Sequence, residues 1–254
     1  MNTVLVELRD GVRTVTLNRP EKRNALDATT LAQLGEAFSA APAADERVAV
    51  IRGAGPVFCS GVDLRERTEQ RQTPGAWTSV EPVFQAVERY PLPVVAVVHG
   101  DAIAGGAELA LHCDLVVAAT TARFSVPLSQ LGIALSWDLA RKPVEAAGPV
   151  IAREILLLGD LVTAERLAQL GVIARAAPPE RLEAEAEAVV ERLVANAPLS
   201  LRAHKAMLLR AMAFRSGIDH AEADALAQAA RASQDAQEGM RARLEKRSPR
   251  FQGR

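Results

Sequence analysis

The order of elements along the chain predicts an α/β fold with a helical C-terminal subdomain. Through the first half, strand-like apolar runs alternate with glycine turns and helix patterns, and the second half is helical. Two stretches carry most of this reading. Val94 to Val98 is a continuous apolar run of strand length, broken by Gly100. Leu182, Ala186, Val189, Val190, Leu193 and Val194 recur at the helical period of 3.6 and define an amphipathic helix. The 254 residues are enough to bury a sizeable core.

From the N-terminus, Val4, Val6 and Leu8 alternate with polar neighbours, Asp10-Gly11 supplies a turn pair, and Val15 and Leu17 alternate again, which predicts a hairpin. A helix pattern runs from about Ala28 to Ala41. Val48 to Ile51 reads as a buried strand ending in the glycine-rich R-G-A-G-P. The charge-rich residues 64 to 75 read as a mobile loop or short helix, and a helix near 80 to 89 stops at Pro91 and Pro93. After Val94 to Val98, Gly105-Gly106 open a helix carrying Glu108, Leu109 and Leu111, and Leu115 to Val117 form another strand. The repetition implies units wound around one core, with uneven spacing. Beyond about residue 145 the pattern is helical. Thr163 can cap a helix ending at Gly171. Three helices fill 199 to 245, the last opened by Asp235 with Glu238 at capping-box spacing. Met207 and Met212 are expected in core packing.

Composition narrows the function classes. Hydrophobic residues make up 49% and charged residues 24%, as in ordinary globular domains. A net charge of −1 provides no field to draw the chain to nucleic acid or an anionic membrane. No apolar run approaches the roughly 20 residues that span a bilayer. The opening MNTVLVELRDG is too charged and too alternating for a signal peptide, so a cytoplasmic location is expected. Cys59 and Cys113 make no disulfide framework and read as reduced thiols.

Two glycine turns could carry chemistry: V-F-C-S-G-V-D-L at 57 to 64 and H-G-D-A-I-A-G-G-A-E-L-A-L at 99 to 111. In the second, small residues sit where a strand has ended and a helix begins. Free N–H groups there can bind a phosphate, or a carbonyl oxygen becoming an enolate. Neither Gly-Lys-Ser nor Gly-x-Gly-x-x-Gly occurs, and each turn by itself reads better as a structural one. His112 follows Glu108 by four residues on one helix face. With no further His/Cys cluster it reads as a hydrogen-bonded structural histidine, and no metal is expected. Ser60 in C-S-G is not in a nucleophile elbow.

Taken together, four segments in order resemble the crotonase (enoyl-CoA hydratase/isomerase) superfamily. T-L-N-R-P-E-K-R-N-A-L at 16 to 26 is similar to its N-terminal signature. F-C-S-G-V-D-L at 58 to 64 is similar to its first oxyanion segment, and 99 to 114, ending in C-D, to its second. The tail S-Q-D-A-Q-E-G-M-R-A-R-L-E-K-R-S-P-R-F at 233 to 251 resembles its closing helix. The resemblance implies a ββα spiral core over residues 1–197 holding an acyl-CoA site, and a helical trimerisation region over 198–254. The implied ligand is an acyl-CoA thioester, with no separate cofactor, in a homotrimer or a hexamer.

By position, the resemblance places the thioester-gripping N–H groups on Val62 and Gly105, flanked by Ser60, Gly61, Asp63, Leu64 and Gly106. The segment with Arg19, Lys22, Arg23 and Ala25 is similar to the stretch that lines the CoA nucleotide, where cations suit phosphates. Glu108, three residues beyond Gly105, matches the first of two catalytic glutamates, and helix geometry aims it back toward the turn. The second glutamate lies in a segment resembling A-R-F-S-V-P-L-S-Q-L-G at 122 to 132, and its position holds Leu128, which cannot exchange a proton. Where the family has a glycine-rich run, this chain reads A-L-S-W-D-L at 134 to 139. Trp137 is expected to reshape the acyl pocket, with Asp138 the nearby acid that could substitute. The resemblance thus implies hydration of a 2-enoyl-CoA or related acid/base chemistry with Glu108, weakened by Leu128. The alternatives are a non-catalytic acyl-CoA carrier or sensor and a crotonase-fold thioester hydrolase.

Overall fold

The computed structural model describes residues 2–70 and 79–254. The N-terminal hairpin pairs β1 (Val4–Arg9) with β2 (Val12–Leu17) antiparallel, and Asp10 and Gly11 turn the chain at φ 51° and 79°. Next come α1 (Ala28–Ser39), β3 (Val48–Gly53), α2 (Leu64–Gln70) and α3 (Glu81–Arg89). The predicted loop or short helix is therefore helical in its first part, and residues 71 to 75 of it lie outside the described residues. Then follow β4 (Val94–Val98), β5 (Ala102–Ile103), α4 (Gly105–Leu111), β6 (Leu115–Ala119) and β7 (Arg123–Ser125). The second half contains α5 (Trp137–Arg153), β8 (Val162–Thr163), α6 (Ala164–Gln169) and β9 (Arg175–Ala177). It ends with α7 (Leu182–Ala195), α8 (Pro198–Met212), α9 (Ala221–Ala232) and α10 (Gln234–Leu244).

The strands form a six-stranded sheet in the order β1-β2-β3-β4-β6-β9, parallel from β2 onward, and a small sheet β5-β7-β8. Short contacts extend the small sheet: Leu26 bridges Val62, and Cys59 bridges Ala102. As the chain winds, it lays strands on the large sheet and short segments on the small one. This is the spiral that the resemblance implies. The central strands β3, β4 and β6 are buried on both faces, which is why they read as continuous apolar runs. By contrast, β5, β7, β8 and β9 have two or three residues each, too few to show alternation, and sequence periodicity did not predict them.

The helical half departs from expectation in three places. First, α5 begins at Trp137 rather than near 145 and bends at Gly148, whose φ of 70° precedes Pro149. Second, Ser233 caps α10: its hydroxyl accepts from the N–H of Ala236. Asp235, already inside the helix, instead accepts from the N–H groups of Gln252 and Gly253, and Glu238 binds Arg247. The Asp235–Glu238 pair thus pins the C-terminal tail and is not a capping box. Third, Met207 is 66% exposed and packs in no core, as are Leu199, Leu208 and Leu226 at 68–77%.

Helices α8 to α10 dock on the chain's own core. Lys205, 6% exposed, reaches Asp114 at 2.6 Å and the Leu92 carbonyl at 3.0 Å. Met240 and Ala236 join Leu131 and Ile133 in a second apolar cluster. Among the described residues no helix is long and apolar enough to cross a membrane.

Candidate active site

The two glycine turns meet in space. Gly61 has φ 85°, and a Cβ there would lie 2.8 Å from the Ile103 carbonyl and 3.0 Å from the Gly105 nitrogen. Only glycine allows this approach. Across the gap, a Cβ on Gly105 would lie 3.6 Å from the Val62 nitrogen. Neither the Val62 nor the Gly105 N–H has an acceptor among the described residues. Gly105 opens α4, where a helix leaves its first N–H groups free. Just before it, Ala104 holds the unfavourable φ of 49°, fixed by its N–H bond to the Ser125 carbonyl at 2.7 Å.

The N-terminal signature segment braces this arrangement. Asn24, buried and at φ 52°, donates from its side-chain amide to the carbonyls of Ala54, Val57 and Phe58. The N–H of Ser60 bonds to the Arg23 carbonyl, and that of Leu26 to the Gly61 carbonyl. Cys59 is fully buried with its thiol bonded to the Asn24 carbonyl, and burial pushes that thiol up to about 12. Arg19 is occupied by Asp27 at 3.1 Å, Asp63 at 3.4 Å and the Ala25 carbonyl at 2.6 Å.

Between these turns and the C-terminal tail lies a cavity of about 480 Å³, within the range of small-ligand pockets. Ser60, Val62, Leu64, Gly105, Glu108 and Leu128 line it, together with Glu81 and Phe84 of α3. Arg231, Gly239, Arg243, Arg247 and Phe251 of the same chain add a further wall, so the cavity draws residues from both sides of the 197/198 boundary. Glu108 is 1% exposed, and among the described residues neither carboxylate oxygen has a hydrogen-bond partner. Burial pushes its carboxyl up to about 8, against a smaller opposing effect of the Lys142 charge. It is therefore mainly protonated at neutral pH. His112 is buried one turn on, bonded through Nδ1 to the Glu108 carbonyl at 2.7 Å, the structural role expected of it.

The sequence profile of the enoyl-CoA hydratase/isomerase family matches residues 7–254. The chain belongs to this family. A Thermus thermophilus relative carrying an enoyl-CoA hydratase name is 39% identical, over 97% of this chain and 100% of its own length. The 2,3-dehydroadipyl-CoA hydratase of Escherichia coli is 32% identical, with both chains covered completely. Among solved structures, an enoyl-CoA hydratase/isomerase from Xanthobacter autotrophicus superposes with a TM-score of 0.85 at 32% identity, over 99% of each chain. A methylmalonyl-CoA decarboxylase structure reaches 0.88 at 26% identity, over 100% of this chain and 99% of that one. The crotonase-type α/β fold with its helical C-terminal region is thereby established.

Within this family member, the structure sorts the residues expected from sequence. Gly61 and Gly106 are backbone supports behind the wall: a Cβ at Gly106 would fall 2.2 Å from the Cys59 carbonyl. Asp63 serves Arg19 and the N–H of Arg65, and Ala25 is buried with its carbonyl on Arg19. Lys22 and Arg23 stand exposed outside the cavity.

Two of the expected residues stand apart from the cavity. Trp137 is not on the cavity wall; its ring stacks on His220 at 5.5 Å, and Asp224 of α9 accepts from the Trp137 backbone N–H and pairs with the His220 ring. Its neighbours Leu135 and Leu139 line the cavity instead. Asp138 also lies off the wall, accepting from the Gln85 amide at 3.1 Å and facing Arg141 at 3.6 Å. Sequence reading missed Glu81, because α3 looks like an ordinary amphipathic helix and its cavity neighbours are distant in sequence. It also missed Asn24, whose role rests on carbonyls at least 30 residues away.

Proposed function

We propose that the chain binds an acyl-CoA thioester with its carbonyl oxygen between the N–H groups of Val62 and Gly105, an oxyanion hole, and hydrates a 2-enoyl-CoA weakly. One observation carries this reading: a buried Glu108, without a hydrogen-bond partner among the described residues, shares a cavity with two unbonded amides. The amides stabilise negative charge as it develops on the thioester oxygen, a contribution worth about 10²–10³ in rate per donor. The Glu108 carboxyl then supplies the proton to the α-carbon. Leu128 takes no part in proton transfer, and loss of one general acid or base costs about 10²–10⁴-fold. Unless a second carboxylate replaces it, crotonyl-CoA hydration is expected to be far slower than in two-glutamate hydratases.

Leu128 also supports a second reading, an acyl-CoA carrier or sensor that keeps the grip and not the reaction. Calorimetric titration with an acyl-CoA and with its free fatty acid, beside turnover of crotonyl-CoA and longer enoyl-CoAs, separates the two. Tight thioester binding with slow turnover supports the hydratase, and binding with no turnover supports the carrier. Equal affinity for thioester and free acid sinks both. Lys22 and Arg23 are the proposed CoA phosphate contacts, and their replacement by alanine should weaken CoA-ester binding alone.

A further inference from the structure

We infer that Glu81 is the second proton-transferring carboxylate of this cavity and does the work of the acid missing at Leu128. The inference rests on the hydratase reading. Glu81 is the first residue of α3 and lines the same cavity as Val62, Gly105, Glu108 and Leu128. Among the described residues Glu81 and Glu108 are the two carboxylates on its wall. Their helices are joined directly: Phe84, one turn beyond Glu81, packs its ring 5.4 Å from that of His112, one turn beyond Glu108.

The two acids are also built differently. Among the described residues both Glu108 oxygens lack partners, and burial favours the protonated donor. Both Glu81 oxygens accept from hydroxyls, Oε2 from Ser79 at 2.9 Å and Oε1 from Ser136. Ser136 is the residue before α5, yet its hydroxyl caps nothing there and turns to Glu81 instead. One carboxyl thus stands without hydrogen-bond partners among the described residues, and the other is oriented on the same cavity by two hydroxyl donors.

In hydration, the water oxygen bonds to the β-carbon and its proton passes to the Glu81 carboxylate. The π electron pair moves onto the thioester oxygen between Val62 and Gly105, giving the enolate. The enolate collapses by taking the Glu108 proton at the α-carbon. When product leaves, the proton on Glu81 goes to solvent and Glu108 takes one back, so atoms and charge balance.

The test compares the natural chain with Glu81→Gln and Glu108→Gln in two assays. These are enoyl-CoA hydration and α-proton exchange of a saturated acyl-CoA in D₂O, which needs Glu108 and the amides but no water activation. Glu81→Gln is expected to lower hydration by about 10²-fold or more and to leave exchange and melting temperature unchanged. Glu108→Gln should lose both activities. Hydration at the natural rate in Glu81→Gln, with Glu108→Gln inactive, overturns the role of Glu81 and leaves the hydratase reading standing. Loss of both activities in Glu81→Gln marks a structural role and overturns it too. A natural chain that hydrates no enoyl-CoA overturns both readings.

Discussion

Oε2 of Glu108 lies 4.0 Å from Nδ1 of His112, one helical turn away, and the two do not form an ion pair at neutral pH. Nδ1 is 2.7 Å from the Glu108 carbonyl, which can only accept, so Nδ1 carries a hydrogen already committed to the backbone. Burial pushes the carboxyl up to about 8 and, with the nearby Lys142 charge, holds the imidazole down at about 4. Between those values both groups are uncharged. The acid is left unpartnered inside the cavity, where a substrate can meet it.

This has a consequence for stability. The folded chain holds the Glu108 proton up to about pH 8, whereas an unfolded glutamate releases it near 4.5. Below 4.5 both states are protonated and nothing changes. Between 4.5 and 8 the folded state binds more protons, so rising pH destabilises it, by about 1.4 kcal/mol per pH unit at most. Above 8 the effect levels off. Glu108→Gln has no such dependence and should gain stability relative to the natural chain from pH 5 to pH 8. Urea unfolding at a series of pH values measures the gap, and parallel curves would rule the shift out.

Restoring a carboxyl at position 128 should rescue hydration in the Glu81→Gln variant. Leu128→Glu places an acid on the cavity wall, and crotonyl-CoA turnover of that variant is expected to increase by at least tenfold, within the range a general acid or base contributes. A carboxylate beside Leu131 and the α10 cluster also costs stability. Faster hydration together with a lower melting temperature is the expected pair of results; an unchanged rate would count against the proposed mechanism.

The paired glycines should behave differently from each other. Alanine at Gly106 would strike the Cys59 carbonyl, and overpacking of this kind typically costs about 1–3 kcal/mol. At Gly105 the nearest atoms are 3.5 Å away, so the alanine fits. Its methyl group would sit against the Val62 amide and crowd a bound oxygen. Gly106→Ala is expected to lower the melting temperature, and Gly105→Ala to keep it while weakening thioester binding. Equal effects on both properties would remove the distinction between wall and support.

A homotrimer, or a hexamer of two trimers, is predicted through the 198–254 helices. Leu199, Met207, Leu208 and Leu226 are each at least 66% exposed, large apolar side chains that a single chain leaves in water. Light scattering should report three or six copies, and a Met207→Glu, Leu208→Glu double variant should report fewer. A monomer at micromolar concentration in the natural chain defeats the prediction.

Local pattern made much of this fold legible. The hairpin, β3, β4, β6, α1, α4 and α7 follow from alternation, apolar runs and the helical period, because each buries a face fixed by its own sequence. The two glycine turns were also readable, since close backbone approach excludes side chains. The absence of a proton donor at Leu128 follows from the residue type alone.

What tertiary structure decided was which polar groups meet. Asp235 and Glu238 have the spacing of a capping box, yet Ser233 provides the cap and the two acids hold the tail. Trp137 and Asp138 stand in the segment where the resemblance placed pocket chemistry, but Asp224 and Gln85 draw them away from the wall. Glu81 enters the cavity through a partner 55 residues away. A sequence fixes the periodicity of each element through its own backbone geometry. Contacts between elements depend on how the spiral stacks its turns, and that is settled only when the whole core packs.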